Sequence, residues 1–196
     1  ATQTQAPVQN KSKNNTVSDP NLLTKTTFAN CPGLHPNSKR ALTEHMGLES
    51  MTESQEKTFQ AGAAGKDVLG RARTGTGKTL AFLMPAVERV LAAGSPYKMG
   101  QNVGVLIVSP TRELASQIGQ QAEQLLSQHK GMSVQVIFGG TNIKTDQNKL
   151  SKKLPTILVA TPGRLMDHLQ STEVNRKKFS PTKSETCILA LDETHR

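Results

Sequence analysis

The segment Ala72-Arg73-Thr74-Gly75-Thr76-Gly77-Lys78-Thr79 has the composition of a phosphate cradle. Glycines let a backbone curl until successive N–H groups point inward at phosphate oxygens. A helix starting near Lys78 would add its positive N-terminal end. Lys78 would then reach the β- and γ-phosphates of a nucleotide as a point charge, and the Thr79 hydroxyl would ligate Mg²⁺. The pattern opens on Ala72 where such P-loops more often carry glycine. A glycine-rich loop with an incidental lysine is the plain alternative, and the strand–loop–helix context argues against it.

A second feature closes the chain. The apolar run Thr186–Leu191 leads into Asp192-Glu193-Thr194-His195, so a strand would deliver adjacent carboxylates to its C-terminal end. That is the edge at which α/β sheets bind ligands. Asp192 could hold Mg²⁺, and Glu193 could orient and deprotonate an attacking water. Alone, an acidic strand end is usually only solvated; downstream of a P-loop it acquires meaning.

Further segments offer phosphate-holding groups: Pro110-Thr111-Arg112, Gly139-Gly140 and Thr161-Pro162-Gly163-Arg164. Each supplies backbone N–H groups, a hydroxyl or a guanidinium at a strand end. Singly they read as helix starts and a turn. If their strands are parallel, the donors converge on one edge.

The elements that must position these residues alternate. Apolar, β-branched runs at Asp67–Ala72, Val103–Ser109, Val134–Phe138, Thr156–Ala160 and Thr186–Leu191 predict strands covered on both faces. Helical patterns fall between them at Gly77–Ala93, Arg112–His129, Asn142–Leu150 and Arg164–Leu169, and before them at Ser38–Met46 and Glu53–Ala64. In Arg112–His129, Leu114, Ile118, Leu125 and Leu126 share one face. The alternation predicts an α/β fold, a parallel sheet flanked by helices with right-handed crossovers. Residues 1–25, rich in Gln, Asn, Thr and Ser, read as a disordered arm with something of a transit-peptide remnant about it. The chain opens on Ala1, which suggests processing or truncation. The basic cluster 175–183 (NRKKFSPTK) reads as a solvated surface loop.

Composition limits the partners. The 196 residues suit one well-filled core, and 24 basic against 15 acidic residues give a net charge of +9. Such a charge attracts polyanions, chiefly nucleic acid or anionic membrane, and charge alone does not separate the two. No apolar run is long enough for a membrane span. Aromatics are only 3%, which argues against rows of stacked bases. Cys31 and Cys187 form no CxxC pair, arguing for a reducing intracellular setting and against a zinc site.

These motifs, in this order, resemble the DEAD-box family of RNA helicases over nearly all of the chain from Phe28 on. ARTGTGKT resembles motif I, PTRELA motif Ia, Gly139-Gly140 the GG element and TPGR motif Ib. The wording of MTESQEKTF and ILVATPGRLMDHL looks most like the mitochondrial and plastid branch, which would place the protein in such an organelle; otherwise nucleus or cytoplasm is expected. The resemblance implies a RecA-like domain over 66–196, preceded by a Q-motif region over 26–65. It implies that Gln55 and Thr52 select adenine, with Phe28 as an aromatic stacking on the base. ATP with Mg²⁺ would bind at Ala72, Arg73, Thr74, Gly75, Thr76, Gly77, Lys78 and Thr79, and Lys78, Asp192 and Glu193 would serve hydrolysis. Pro110, Thr111, Arg112, Gly139, Gly140, Thr161, Pro162, Gly163 and Arg164 would grip RNA through its backbone.

This sequence departs from the family in several places. The prolines of the usual Pro-Thr-Pro-Ile-Gln are missing around Thr52, and Asp-Glu-Ala-Asp is here Asp192-Glu193-Thr194-His195. The Ser-Ala-Thr motif and a second RecA-like domain would lie beyond Arg196, so this monomeric stretch alone would not unwind RNA. Two other classes compete: a truncated, non-catalytic module binding adenine nucleotide or RNA, and a P-loop ATPase of another kind. Gln55 with PTRELA and TPGR argues against the latter.

Overall fold

A computed structural model describes residues 20–73, 75–94, 98–181 and 188–191. After a 3-10 turn at Pro20–Leu22, β1 (Leu23–Thr27) pairs antiparallel with β2 (Ser50–Thr52). Between them α1 (Pro36–Arg40) runs directly into a π-helical turn, Ala41–His45. The chain continues through α2 (Glu53–Ala63), α3 (Lys78–Ala93), β3 (Val105–Val108), α4 (Arg112–Leu126), β4 (Val134–Ile137), α5 (Ile143–Lys152), β5 (Ile157–Ala160) and α6 (Pro162–Ser171). It closes with the short pair β6 (Glu173–Val174) and β7 (Lys177–Lys178), then β8 (Ile188–Leu191).

The main sheet has the order β4-β5-β3-β8 among the described residues, and every pair in it is parallel. A period of two decides which core each side chain joins. Val105 and Ile107 of β3, with Ile157 and Val159 of β5, face one helical layer; Leu106, Leu158 and Ala160 face the other. The first layer holds Leu83, Met84 and Val87 of α3 and Ile118 and Leu125 of α4. The second holds Leu150 of α5 and Leu165 of α6. Each fully buried Leu or Ile stabilises the fold by roughly 1.5–3 kcal/mol relative to exposure. Phe28, Leu42, Met51 and Phe59 join the first layer, so the region 26–65 shares its core with the sheet.

The sequence-based expectations hold for most elements and fail in particular places. No strand forms at Asp67–Ala72; residues 66–73 carry no regular structure, with Leu69 fully exposed at 103% and Val68 at 44%. A strand exists only where a ladder partner lies in register, and an apolar run does not supply one. Leu23–Lys25, expected in the disordered arm, belong to β1, because β2 offers them that partner; residues 1–19 lie outside the described residues. The first four residues of the basic cluster belong to a tight hairpin rather than a loop, and Thr182 and Lys183 lie outside the described residues. Asn175 and Arg176 adopt positive φ (53° and 61°), making a two-residue hairpin turn whose Lys177 and Lys178 are exposed. No described helix is long and apolar enough to cross a membrane.

Candidate functional site

The glycine loop is gripped from behind by α2. Thr52 caps that helix: its hydroxyl accepts from the Gln55 N–H, and the Gln55 Oε1 accepts from the Thr52 N–H at 2.9 Å, a reciprocal capping box. The same end reaches across to the loop. Ser54 Oγ donates to the Thr76 carbonyl at 3.0 Å, and Gln55 Nε2 donates to the Gly77 carbonyl at 3.2 Å. One turn on, Thr58 Oγ1 donates to the Ala81 carbonyl at 2.9 Å. A trans peptide points its N–H opposite its C=O. Tying the Thr76 and Gly77 carbonyls to α2 therefore turns the N–H groups of Gly77 and Lys78 away from it, the orientation an anion requires.

Glycine is needed at Gly77 for two reasons. Its φ is 77°, and a Cβ there would lie 2.4 Å from Gln55 Nε2. Gly75 shares the left-handed conformation (φ 79°), but a Cβ there would meet nothing within 4 Å. Thr76 closes the turn by donating to the Arg73 carbonyl at 2.8 Å. Lys78 and Thr79 occupy the first turn of α3, both half-buried. Ala72, Arg73 and Thr76 line a cleft of about 230 Å³ with Thr52, Ser54 and Lys57. A larger hollow of about 380 Å³ between Thr27 and Glu49 lies away from this loop. Thr74, Asp192, Glu193, Thr194 and His195 lie outside the described residues.

Phe28 is 1% exposed and packed in the core with Cys31, Leu42 and Phe59. Gln55 is 2% exposed, with one donor and one lone pair engaged by the chain. An amide keeps a second donor and a second lone pair.

A second cluster forms where β3, β4 and β5 end, all on one edge because the strands are parallel. Thr111 caps α4 by accepting from the Leu114 N–H at 3.2 Å, which places Arg112 in the first turn, exposed. Its guanidinium lies over the glycine pair: a Cβ on Gly140 (φ 89°) would sit 2.5 Å from Arg112 Nη1. Pro110, Gly139 and Gly140 are at the surface or half-buried beside it. Thr161 precedes α6 without its side chain capping it, and Pro162 stands in the first turn. At exposed Gly163 a Cβ would meet nothing within 4 Å.

Arg164 departs from expectation. It is 6% exposed, its Nη1 is 3.2 Å from Asp146 Oδ2, and its Nη2 donates to the Thr141 carbonyl at 2.7 Å. A guanidinium spent on internal acceptors is not presented to a ligand. Behind it His168 is buried, its Nδ1 2.7 Å from the Thr172 hydroxyl. Burial holds the His168 pKa below its ordinary value, while nearby Asp146 pulls it the other way.

Sequence reasoning missed Ser54, Thr58, Asp146 and His168. Only the capping box, Thr52-x-x-Gln55, leaves a readable trace. The others act through contacts between elements, which spacing along the chain does not reveal.

A parallel sheet between helical layers, with a glycine-rich phosphate loop at the head of one helix, defines a nucleotide-binding α/β domain of the RecA-like kind. Residues 52–196 match the family model described as DEAD/DEAH box helicase, and the chain belongs to that family. It is 41% identical over 174 residues to DEAD-box ATP-dependent RNA helicase 26 of Oryza sativa subsp. japonica, covering 89% of this chain and 31% of the relative. It is 48% identical over 141 residues to ATP-dependent RNA helicase has1 of Aspergillus clavatus, covering 72% of this chain and 22% of the relative. Among solved structures it resembles the DEAD-box helicase Mss116 bound to single-stranded RNA and AMP-PNP, at 33% identity and a TM-score of 0.67. That likeness covers 76% of this chain and 30% of the other. The chain thus spans about a third or less of the length of these relatives.

Proposed function

We propose that this chain is the ATP-binding domain of an RNA-dependent ATPase that opens short RNA duplexes. The observation that carries the reading is the glycine loop. Its carbonyls are bound to α2 by Ser54 and Gln55, and Lys78 and Thr79 head the helix that follows. That arrangement is a preformed anion site, with N–H groups, a helix N-terminus and one cation converging. Lys78 holds the β- and γ-phosphates of ATP. Thr79, on the first turn of α3, would offer its hydroxyl to Mg²⁺, with Asp192 as the acidic partner. The metal's charge would neutralise the phosphates. Glu193 orients the attacking water.

RNA lies along the edge where β3, β4 and β5 end, held by Arg112 and by the backbone around Gly139, Gly140 and Gly163. Contacts to phosphate and ribose carry little sequence information, so selectivity for sequence is low. Support comes from the net charge of +9 and from the helicase relatives, some solved with single-stranded RNA.

The second donor and lone pair of the Gln55 amide suit N7 and N6 of adenine and leave guanine mispaired. Competition against a fluorescent ADP analogue tests this on the chain as it stands. ATP and ADP should displace the probe at concentrations at least about tenfold below GTP, a difference of ~1.4 kcal/mol. Equal displacement by ATP and GTP would remove Gln55 from base recognition.

A further inference from the structure

Arg164 looks at first like a phosphate ligand, since it follows Thr161-Pro162-Gly163 at the edge assigned to RNA. Its surroundings argue otherwise. The guanidinium is buried and bonded to a carboxylate and a carbonyl of the same chain, Asp146 Oδ2 at 3.2 Å and Thr141 O at 2.7 Å. Asp146 is itself 8% exposed. His168 Nε2 stands 3.8 Å from the same Oδ2, and its ring is fixed from the far side by Thr172. Swinging Arg164 out to a phosphate would leave the Asp146 carboxylate buried and uncompensated, which is strongly unfavourable.

The partners of Arg164 say what it does there. Thr141 directly follows Gly139-Gly140, Asp146 sits in the first turn of α5, and Arg164 in the first turn of α6. One side chain thus joins the loop after β4 to the helix after β5. We propose that Asp146, backed by His168, is a positioning residue for the RNA-facing edge: it holds Arg164 as an internal brace between these segments, and Arg164 does not contact phosphate. This rests on the RNA reading above, but the brace can be tested apart from it.

The test measures binding of fluorescein-labelled oligouridylate to the full chain across a KCl series, by anisotropy. Each phosphate contact to single-stranded RNA contributes about 0.7 to the slope of log K against log salt. Arg164→Gln and Asp146→Asn should each weaken binding about tenfold while leaving that slope and the ADP affinity unchanged. Arg164→Lys, which keeps the charge but loses the fork, should behave like Arg164→Gln. Arg112→Gln, at an exposed guanidinium, should lower the slope. The proposal is overturned if Arg164→Gln lowers the slope by about 0.7, or if Asp146→Asn binds RNA as tightly as the parent or more tightly by freeing the guanidinium. Hydrogen exchange supplies an arm that needs no RNA. Amides of residues 139–145 should exchange faster in Arg164→Lys, and unchanged exchange there overturns the brace. A parent chain that binds no RNA sinks the RNA reading instead, and the exchange arm still decides the brace.

Discussion

At the scale of single residues, burial rather than residue type decides what a side chain can do. Arg164 has the type expected at an RNA site, and it is spent inside the protein. Arg112 has the same guanidinium and is exposed, so it remains available. The histidines add a dependence on pH. His129 is buried with its Nε2 3.0 Å from the Ser38 hydroxyl and its ring beside His35. Burial first, and then the neighbouring His35, hold its pKa below the ordinary value of 6.5. The unfolded chain therefore takes up the proton first. The stabilising contribution is complete above about pH 6.5 and is lost as pH falls toward the depressed folded value. Glu88, raised by burial, runs the other way and gains relative stability as pH falls. Denaturant midpoints at pH 7.5 and pH 5.5 should thus differ less in His129→Gln than in the parent chain. An equal or larger difference in the variant would remove His129 as a source of the acid sensitivity.

At the scale of elements, what was legible in the sequence is what depends on local pattern. The helices over Glu53–Ala63, Lys78–Ala93 and Arg112–Leu126 follow apolar spacing, and their starts follow Thr52, Gly77 and Thr111. The buried strands β3 and β5 read as continuous apolar runs because both faces are covered. What depends on a distant partner was not legible. The run Asp67–Ala72 has strand composition without a ladder, while Leu23–Thr27 has a ladder that the composition of the arm concealed. Close approach of elements is equally invisible. Gly119, buried in α4, faces β4 so tightly that a Cβ would lie 2.3 Å from Val136 Cγ2. Gly119→Ala gains helix propensity of about 1 kcal/mol but forces a stiff β-branched neighbour aside, an overpacking cost of about 1–3 kcal/mol. Thermal melting should show a net loss of up to about 2 kcal/mol; a raised melting temperature would mean that α4 and β4 pack more loosely than described.

At the scale of the whole molecule, topology assembles the site. Parallel strands bring Thr111, Gly139-Gly140 and Thr161, far apart along the chain, to one edge. The region before the sheet is part of the same body: Phe28, Met51 and Phe59 share a core with Val105 and Ile157, and α2 carries the hydroxyl and amide that hold the glycine loop. The proposed nucleotide site is therefore built from an N-terminal helix and a central one at once, which explains why Gln55 and Gly77 constrain each other. All of this converges on one claim, that the loop ending in Lys78 binds the phosphates of an adenine nucleotide. Isothermal titration calorimetry of the chain with ADP and Mg²⁺, beside Lys78→Ala, tests it most directly. Saturable binding to the parent is expected, with a loss of at least about a hundredfold in the variant, ~2.8 kcal/mol. An affinity unchanged by Lys78→Ala would contradict it.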